Sequence, residues 1–178
     1  MRKTTFLILS TIIFLATSCM ETDSYSPVGQ VEGYKPIYIS KDKAYITSVE
    51  TTRLFSEPGK MFMYQNYIYV TDLGNGVHII DNSVPTNPVK VAFISIPGVV
   101  DAAVKSGIMY ADNFADLVAF DVSDVNNITF KKRVKGIYPM TSQFYPEFAT
   151  GYFECVDTTK GYVLRWEKTI LNNPKCYR

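Results

Sequence analysis

The chain has 178 residues, of which 47% are hydrophobic and 20% charged, so it has the proportions of a globular protein, and its length favours one domain over two. Tyr and Phe are abundant, with 13 and 11 copies, and clusters of Val, Ile, Tyr and Phe outnumber helix-favouring runs, which predicts an all-β protein. The net charge is +1, or −1 once Arg2 and Lys3 leave with a predicted leader, which excludes a basic surface for nucleic acid.

Residues 1–18 are predicted to be a secretion signal. Arg2 and Lys3 supply its positive start, and residues 6–16 form an apolar stretch. The alternative is an uncleaved membrane anchor, but this stretch is shorter than the roughly 20 residues that a spanning helix needs. The small residues immediately before the cysteine in the segment LATSC (15–19) also argue against an uncleaved anchor.

LATSC resembles the lipobox of bacterial lipoproteins, although Ala16 stands where Leu is commonest. The resemblance implies that Cys19 carries fatty acyl chains such as palmitate. Each buried CH₂ contributes about 0.8 kcal/mol, so several chains make a stable anchor. Glu21 and Asp23 resemble the acidic export signal of some Gram-negative surface lipoproteins, which implies an outer-membrane, surface-exposed location. Residues 19–33 are predicted to be the lipidated cysteine and a flexible tether.

The chain then repeats itself at a period of about forty residues. YVTDLGNGVHIIDNS (69–83) returns as MYADNFADLVAFDVS (109–123), with Asp72, Asp81 and Ser83 keeping their identity. Gly76 is replaced by Asp116. A third, weaker copy, FECVDTTKGYVLRW (153–166), aligns Asp157 with Asp72. A fixed period of this kind indicates a repeat architecture.

Each period contains four short hydrophobic runs separated by turn-forming residues. The runs are predicted to be strands at residues 61–64, 67–71, 77–80 and 89–96, and again at 101–104, 108–111, 117–121 and 130–134. Four strands recurring near forty residues are typical of a β-propeller blade, because each small sheet buries its faces only against neighbouring sheets.

The strand-and-turn segments VHIID (77–81) and LVAFD (117–121), followed by NSVPTNP and VSDVNN, are similar to the LVIVD-repeat proteins. The resemblance covers about residues 34–168, with repeats near 59–97, 98–136 and 137–168. It implies a cell-surface lipoprotein with a propeller domain in residues 34–178, and it brings no catalytic residue.

We count two complete blades, a partial third and one edge strand around Arg53–Phe55, about two and a half blades. Closing a propeller takes at least four blades, so the ring is not expected to close within this chain. We favour a truncated relative. The alternatives are a partner chain that covers the open edges and a short open stack of sheets.

Several polar residues invite a chemical role. Asp72, Asp112 and Asp157 are interpreted as turn caps, and Asp81 and Asp121 as staples of the loop after the third strand, rather than as ligands for a cation. His78, the only histidine, is predicted to fill space in a strand, because Val118 and Val163 take its place in the other copies.

The common hydrolase, protease, nucleotide and redox motifs are absent from the sequence. We therefore expect no enzyme activity, no cofactor and no metal, and instead a binding or scaffolding role towards a protein or glycan. The alternative is a fragment of an envelope glycan-processing enzyme that lacks its catalytic groups.

The best candidate for a binding surface is the irregular, Tyr- and Pro-rich segment 136–152 with its aromatic neighbours. The candidate residues are Tyr138, Phe144, Tyr145, Tyr152 and Trp166. Most other aromatic side chains are expected in the core.

Two cysteines remain once Cys19 is assigned to lipid. Cys155 and Cys176 either form one disulfide in an oxidising envelope, or Cys155 is buried in a strand and Cys176 is free. The sequence supports both readings equally.

Overall fold

The structure, a computed structural model, describes residues 29–147 and 149–178. The predicted signal, Cys19 and most of the tether lie outside the described residues. This part of the chain is built of strands and two short 3-10 turns, Thr141–Gln143 and Thr158–Lys160. The strands are β1 (Gln30–Ile39), β2 (Ser48–Glu50), β3 (Pro58–Tyr64), β4 (Tyr67–Asp72), β5 (Gly76–Asp81), β6 (Val89–Ser95), β7 (Ala102–Lys105), β8 (Ile108–Asn113), β9 (Asp116–Asp121), β10 (Thr129–Val134), β11 (Tyr152–Phe153), β12 (Tyr162–Asn172) and β13 (Cys176–Tyr177). No helix among the described residues is long and apolar enough to cross a bilayer.

The first two sheets are the two predicted repeats. Strands β3 to β6 form one antiparallel meander, and β7 to β10 form the second. The predicted all-β fold with blades of four antiparallel strands is confirmed for both. Short runs separated by tight turns favour this arrangement, because a hairpin pairs each strand with the next one in the chain.

A fifth strand lies beside β6 in the first sheet, but not where the sequence analysis placed it. The strand β2 pairs Val49 with Ile94, whereas the predicted edge strand at Arg53–Phe55 is wrong. Those residues belong instead to residues 51–57, which cross the face of the first sheet. We call residues 51–57 the covering segment.

The two sheets pack face to face. We call the face that a sheet turns towards the next sheet along the chain its trailing face, and the opposite face its leading face. The trailing face of the first sheet carries Tyr69, Val77 and Ile79. It packs against the leading face of the second sheet, which carries Val118 and Phe120. These five side chains are at most 1% exposed. Fully burying an aliphatic or aromatic side chain stabilises a fold by about 1.5–3 kcal/mol, so this interface is the core of the protein.

The third sheet does not follow the repeat. Its order is β12-β1-β11-β13, so it joins the first described strand to the last ones. Strands β1 and β12 pair antiparallel along their whole length, from Gln30 with Asn172 to Ile39 with Tyr162. Residues 137–168, predicted as a partial third repeat, therefore contribute to a sheet that also contains β1 and do not form a separate four-stranded sheet. Because β12 is long, it forms more hydrogen bonds with the similarly long β1 than it could form with the short strands next to it in the sequence.

The N-terminal boundary of the sheet also differs from the prediction. The tether was expected to reach residue 33, but β1 begins at Gln30. Gly33 makes this possible, because a side chain there would overlap the Tyr152 carbonyl oxygen of β11. Residues 30–33 are thus part of the sheet.

Candidate functional site

Two adjoining cavities lie where the three sheets meet. The larger has a volume of about 410 Å³ and the smaller about 260 Å³. They share five lining residues, which are Gly98, Val100, Phe114, Ser142 and Glu147. We call the two cavities together the junction groove. Its size is in the range of ligand sites.

One wall of the groove is the trailing face of the second sheet, with Tyr110, Asp112 and Leu117. In the first sheet the same face is buried by the following sheet. Tyr69 pairs with Ile79 across β4 and β5. Tyr110 pairs with Ala119 across β8 and β9, and Ala119 lies forty residues after Ile79. The two tyrosines therefore occupy the same position in the strand register of their sheets. Tyr69 is 0% exposed and Tyr110 is 40% exposed. The groove exists because no regular blade covers this face.

The opposite wall is the irregular segment at residues 138–147. The Gln143 side chain donates to the Val163 carbonyl at 2.8 Å and accepts from its N–H at 2.7 Å, as a paired strand would. Trp166 Nε1 donates to the Ser142 carbonyl at 2.8 Å. Arg178 donates to the Glu147 carbonyl at 2.9 Å. These bonds fix the wall to the third sheet although its backbone is irregular.

The larger cavity is lined by carboxylates. Asp101 forms an ion pair with Lys60, whereas Asp112 accepts hydrogen bonds from the N–H groups of Val100 and Asp101 at 3.0 and 2.7 Å. Burial raises the pKa of Asp112 above its ordinary value. Glu147 completes the set, and the described lining contains no Lys, Arg or His. In the described residues no group of His, Cys, Asp and Glu has a metal-binding arrangement.

A buried polar network supports the floor of the groove. Arg133 donates to Asn113 Oδ1 at 2.5 Å, to Asp116 Oδ2 at 3.0 Å and to the Tyr45 carbonyl at 2.9 Å. Asn113 Nδ2 donates to the Ala44 carbonyl at 3.0 Å. The network includes Asp116, which stands where the first repeat has Gly76. It holds the β8–β9 turn against residues 44–45.

The β8–β9 turn places an aromatic ring at the groove. Phe114 adopts a φ of 56°, which is unusual for a residue with a side chain. Its ring centroid lies 5.9 Å from that of Tyr45 and 5.4 Å from that of Tyr162, and those two rings are 5.7 Å apart. The three rings connect the second sheet to the third at the groove.

The leading face of the first sheet contains a buried pair that the sequence analysis missed. His78 is buried in β5, as predicted for a strand-filling residue, but its Nε2 also lies 3.3 Å from Asp72 Oδ2. The Phe55 ring of the covering segment packs against the His78 ring in a tilted arrangement, with the centroids 4.1 Å apart. Burial lowers the pKa of His78 despite its hydrogen bond with Asp72. Asp72 also accepts from the N–H groups of Ser56 and Glu57, so the pair fixes the covering segment to the sheet.

The predicted aspartate roles divide into three settings. Asp81 and Asp121 both accept from the N–H of the serine two residues on, at 2.8 and 3.1 Å, as the loop interpretation expects. Asp72 and Asp112 cap the segment entering the first strand of their repeat, and Asp72 also accepts from the Asn75 side chain in the turn that follows it. Asp157 immediately precedes the 3-10 turn and accepts from the Thr159 N–H at 3.0 Å, as the turn-cap interpretation predicts.

The predicted binding residues do not form one surface. Tyr138 lines the larger cavity and Trp166 the smaller one. Phe144 is 64% exposed outside both cavities, Tyr145 packs under Arg178 at 4.0 Å, and Tyr152 contacts Tyr177. Tyr110, Asp112 and Glu147 also line the larger cavity, and none of them was predicted as a binding residue. The sequence repeat aligns Tyr69 with Met109, and only the strand register of the structure places Tyr110 at the position of Tyr69.

The two remaining cysteines are bonded in the structure. Cys155 and Cys176 form a disulfide with their Cα atoms 5.3 Å apart. It connects the chain after β11 to β13. This bond holds the C-terminal strand, and with it Arg178, near the groove wall.

Comparison with known proteins identifies one segment. Residues 60–93 match the family model of the LVIVD repeat, a repeat type found in β-propeller-like proteins. The matched segment comprises most of the first sheet, from β3 into β6. No curated protein and no solved structure matches the chain. The predicted LVIVD resemblance is thus confirmed for the first repeat.

Proposed function

We propose that the protein is a non-catalytic binding module of a lipoprotein that is anchored to the outer membrane through Cys19 and faces the outside of the cell. The lipobox-like segment at 15–19 supports the anchor, and the LVIVD repeat at 60–93 supports a propeller-type scaffold. The junction groove is the binding site, and its ligand is a protein segment or a glycan.

The contrast between Tyr69 and Tyr110 carries this proposal. The two residues are counterparts in consecutive repeats, yet one is fully buried and the other 40% exposed. A half-exposed aromatic ring beside an apolar cavity is typical of sites that stack a ligand. The irregular wall at 138–147 then shapes the site, since loops on a rigid scaffold commonly carry function.

Two carboxylates near the groove are held by hydrogen bonds, which favours binding over turnover at those two residues. Asp112 uses its oxygens to accept backbone N–H bonds, and Asp116 is held by Arg133 and by the Gly136 N–H. Glycoside hydrolysis requires two carboxyl groups free to meet the substrate. A glycan-processing enzyme remains the alternative function, and a hydrolase screen separates the two.

Two experiments test the proposal. Binding of the soluble domain from residue 20 to glycan and peptide arrays is compared between Tyr110→Ser and the matched control Phe144→Ser, which alters an exposed ring outside the groove. Binding lost only in Tyr110→Ser supports the groove, and equal loss or turnover of a glycan contradicts it. Separately, Cys19→Ala should release the protein from membranes, and unchanged membrane partitioning would contradict the anchor.

A further inference from the structure

We infer that the junction groove binds the cationic side chain of an arginine or lysine within an extended peptide segment of a partner protein. This inference rests on the proposed binding function and specifies its ligand. It is drawn from the charge of the larger cavity, from its aromatic rings and from the strand at its edge.

The first step is the charge of the larger cavity. Every ionisable acid or base of its described lining, tyrosines aside, is a carboxylate: Asp101, Asp112 and Glu147. Only Asp101 has a cationic partner, Lys60. Among the described residues, neither Asp112 nor Glu147 takes part in an ion pair. Anionic groups in a concave, partly dry site attract a positively charged ligand and disfavour an anionic one.

The second step is the aromatic lining. Tyr110 and Tyr138 border the same cavity, and each is 40% exposed. The face of a tyrosine ring attracts an ammonium or guanidinium group, most strongly where water is partly excluded. Carboxylates and tyrosine rings together therefore select an organic cation over a neutral sugar, which would stack on the rings without using the charge.

The third step distinguishes a peptide from a small free amine. Strand β7 is the edge of the second sheet, with β8 as its hydrogen-bonded neighbour, and its residues Ala102 and Ala103 line the larger cavity. An extended peptide adds to such an edge through main-chain hydrogen bonds while a side chain enters a neighbouring pocket. The smaller cavity continues the groove past Phe114 towards Trp166 and leaves room for flanking residues.

Glu147 is the carboxylate to alter. Its backbone carbonyl is held by Arg178, so the side chain can be changed without removing that bond. Asp112 is less suitable, because it caps the entry to β7. Glu154 is a matched control, an exposed glutamate that lines neither cavity.

The experiment uses the full processed chain in neutral detergent and fluorescence anisotropy of labelled peptides, Gly-Ser-Gly-X-Gly-Ser-Gly. X is arginine, its uncharged near-isostere citrulline, lysine or glutamate. We expect arginine to bind about tenfold more tightly than citrulline, and Glu147→Gln to lower arginine affinity about fivefold, as for a partly desolvated charge pair. Glu154→Gln should leave the affinity unchanged.

Equal affinity for arginine and citrulline, no peptide binding, or a preference for arginine that Glu147→Gln does not reduce would each overturn the inference. If the protein binds a glycan and shows no preference for arginine, and Tyr110→Ser abolishes the glycan binding, the inference of a cationic ligand is overturned. The proposed binding function would then remain intact. If Tyr110→Ser also changes no binding of any kind, the proposed function fails with it.

Discussion

The carboxylates of Asp72 and Asp112, forty residues apart, each accept hydrogen bonds from two successive backbone N–H groups just before the first strand of their repeat. Asp72 accepts from Ser56 and Glu57 at 3.0 and 2.8 Å, and Asp112 accepts from Val100 and Asp101. Each carboxylate, at the end of the second strand, thereby fixes where its repeat begins.

We expect Asp72→Ala to destabilise the fold by about 2–3 kcal/mol, because it removes the buried carboxylate that accepts hydrogen bonds from Ser56, Glu57 and Asn75. Asp72 is 0% exposed and also receives a hydrogen bond from Asn75. Urea unfolding followed by circular dichroism measures the change. Glu154→Ala is the control for loss of a carboxylate, and a difference below about 1 kcal/mol would contradict the capping role.

The Asp72–His78 pair makes stability depend on pH. Burial lowers the folded-state pKa of His78 below 6.5, so the unfolded chain binds the proton more readily. The stabilising contribution is therefore complete above pH 6.5 and decreases as the pH falls from there towards the folded pKa. Burial raises the pKa of Asp72, but hydrogen bonds from Glu57, Asn75 and Ser56 outweigh it and lower the pKa below 3.8, so its contribution declines only below that value.

Free energies of unfolding at pH 7.5, 6.5 and 5.5 test this dependence. The wild-type protein should lose stability below pH 6.5, with a slope of at most about 1.4 kcal/mol per pH unit. His78→Val, which copies Val118 of the second repeat, should remove that slope whatever its effect at pH 7.5. Identical slopes of stability against pH in the wild-type protein and His78→Val would contradict the lowered pKa of His78.

Arg133 is expected to be the most sensitive position of β10. Arg133→Lys loses the planar donors that reach Asn113, Asp116 and the Tyr45 carbonyl together, and we expect a loss of about 2–3 kcal/mol. Lys132→Ala, at an exposed neighbour on the same strand, should change stability by less than about 0.5 kcal/mol. Thermal unfolding of the two variants measures both losses of stability. Equal losses in Arg133→Lys and Lys132→Ala would contradict a stabilising role of the Arg133 network.

The disulfide should contribute measurably to stability. Replacing both Cys155 and Cys176 by serine should lower the unfolding free energy by about 3 kcal/mol, since the bond closes a loop of some twenty residues in the unfolded chain. Mass spectrometry under non-reducing conditions checks the pairing itself. Two free thiols in protein isolated without reductant would contradict it.

Much of the first two sheets is predictable from the sequence, because their strands are local. Hydrophobic runs such as 67–71 and 117–121 pair with neighbours through turns that the sequence marks with Gly, Asn and Asp. The third sheet is not predictable in this way. Its main contact joins Gln30 to Asn172, and no local pattern records a pairing between strands so far apart.

The candidate site is harder to predict for the same reason. Tyr138, in the irregular segment, and Trp166, in β12, were both predicted as candidate binding residues, and both line the groove. The forty-residue repeat aligns Tyr110 with Val70, so the sequence shows neither that Tyr110 occupies the strand position of the buried Tyr69 nor that it is exposed. The pairing of His78 with Asp72 likewise needs the β4–β5 register, which brings Val70 opposite His78.

Nitration of tyrosines by tetranitromethane in the intact protein, located by peptide mass spectrometry, tests the open groove most directly. The structure predicts that Tyr110 and Tyr138, each 40% exposed, are modified while Tyr69, at 0%, is not, because the reagent reaches only accessible rings. Modification of Tyr110 as slow as that of Tyr69 would mean that the second sheet is covered as fully as the first, and the groove would not exist as a binding site.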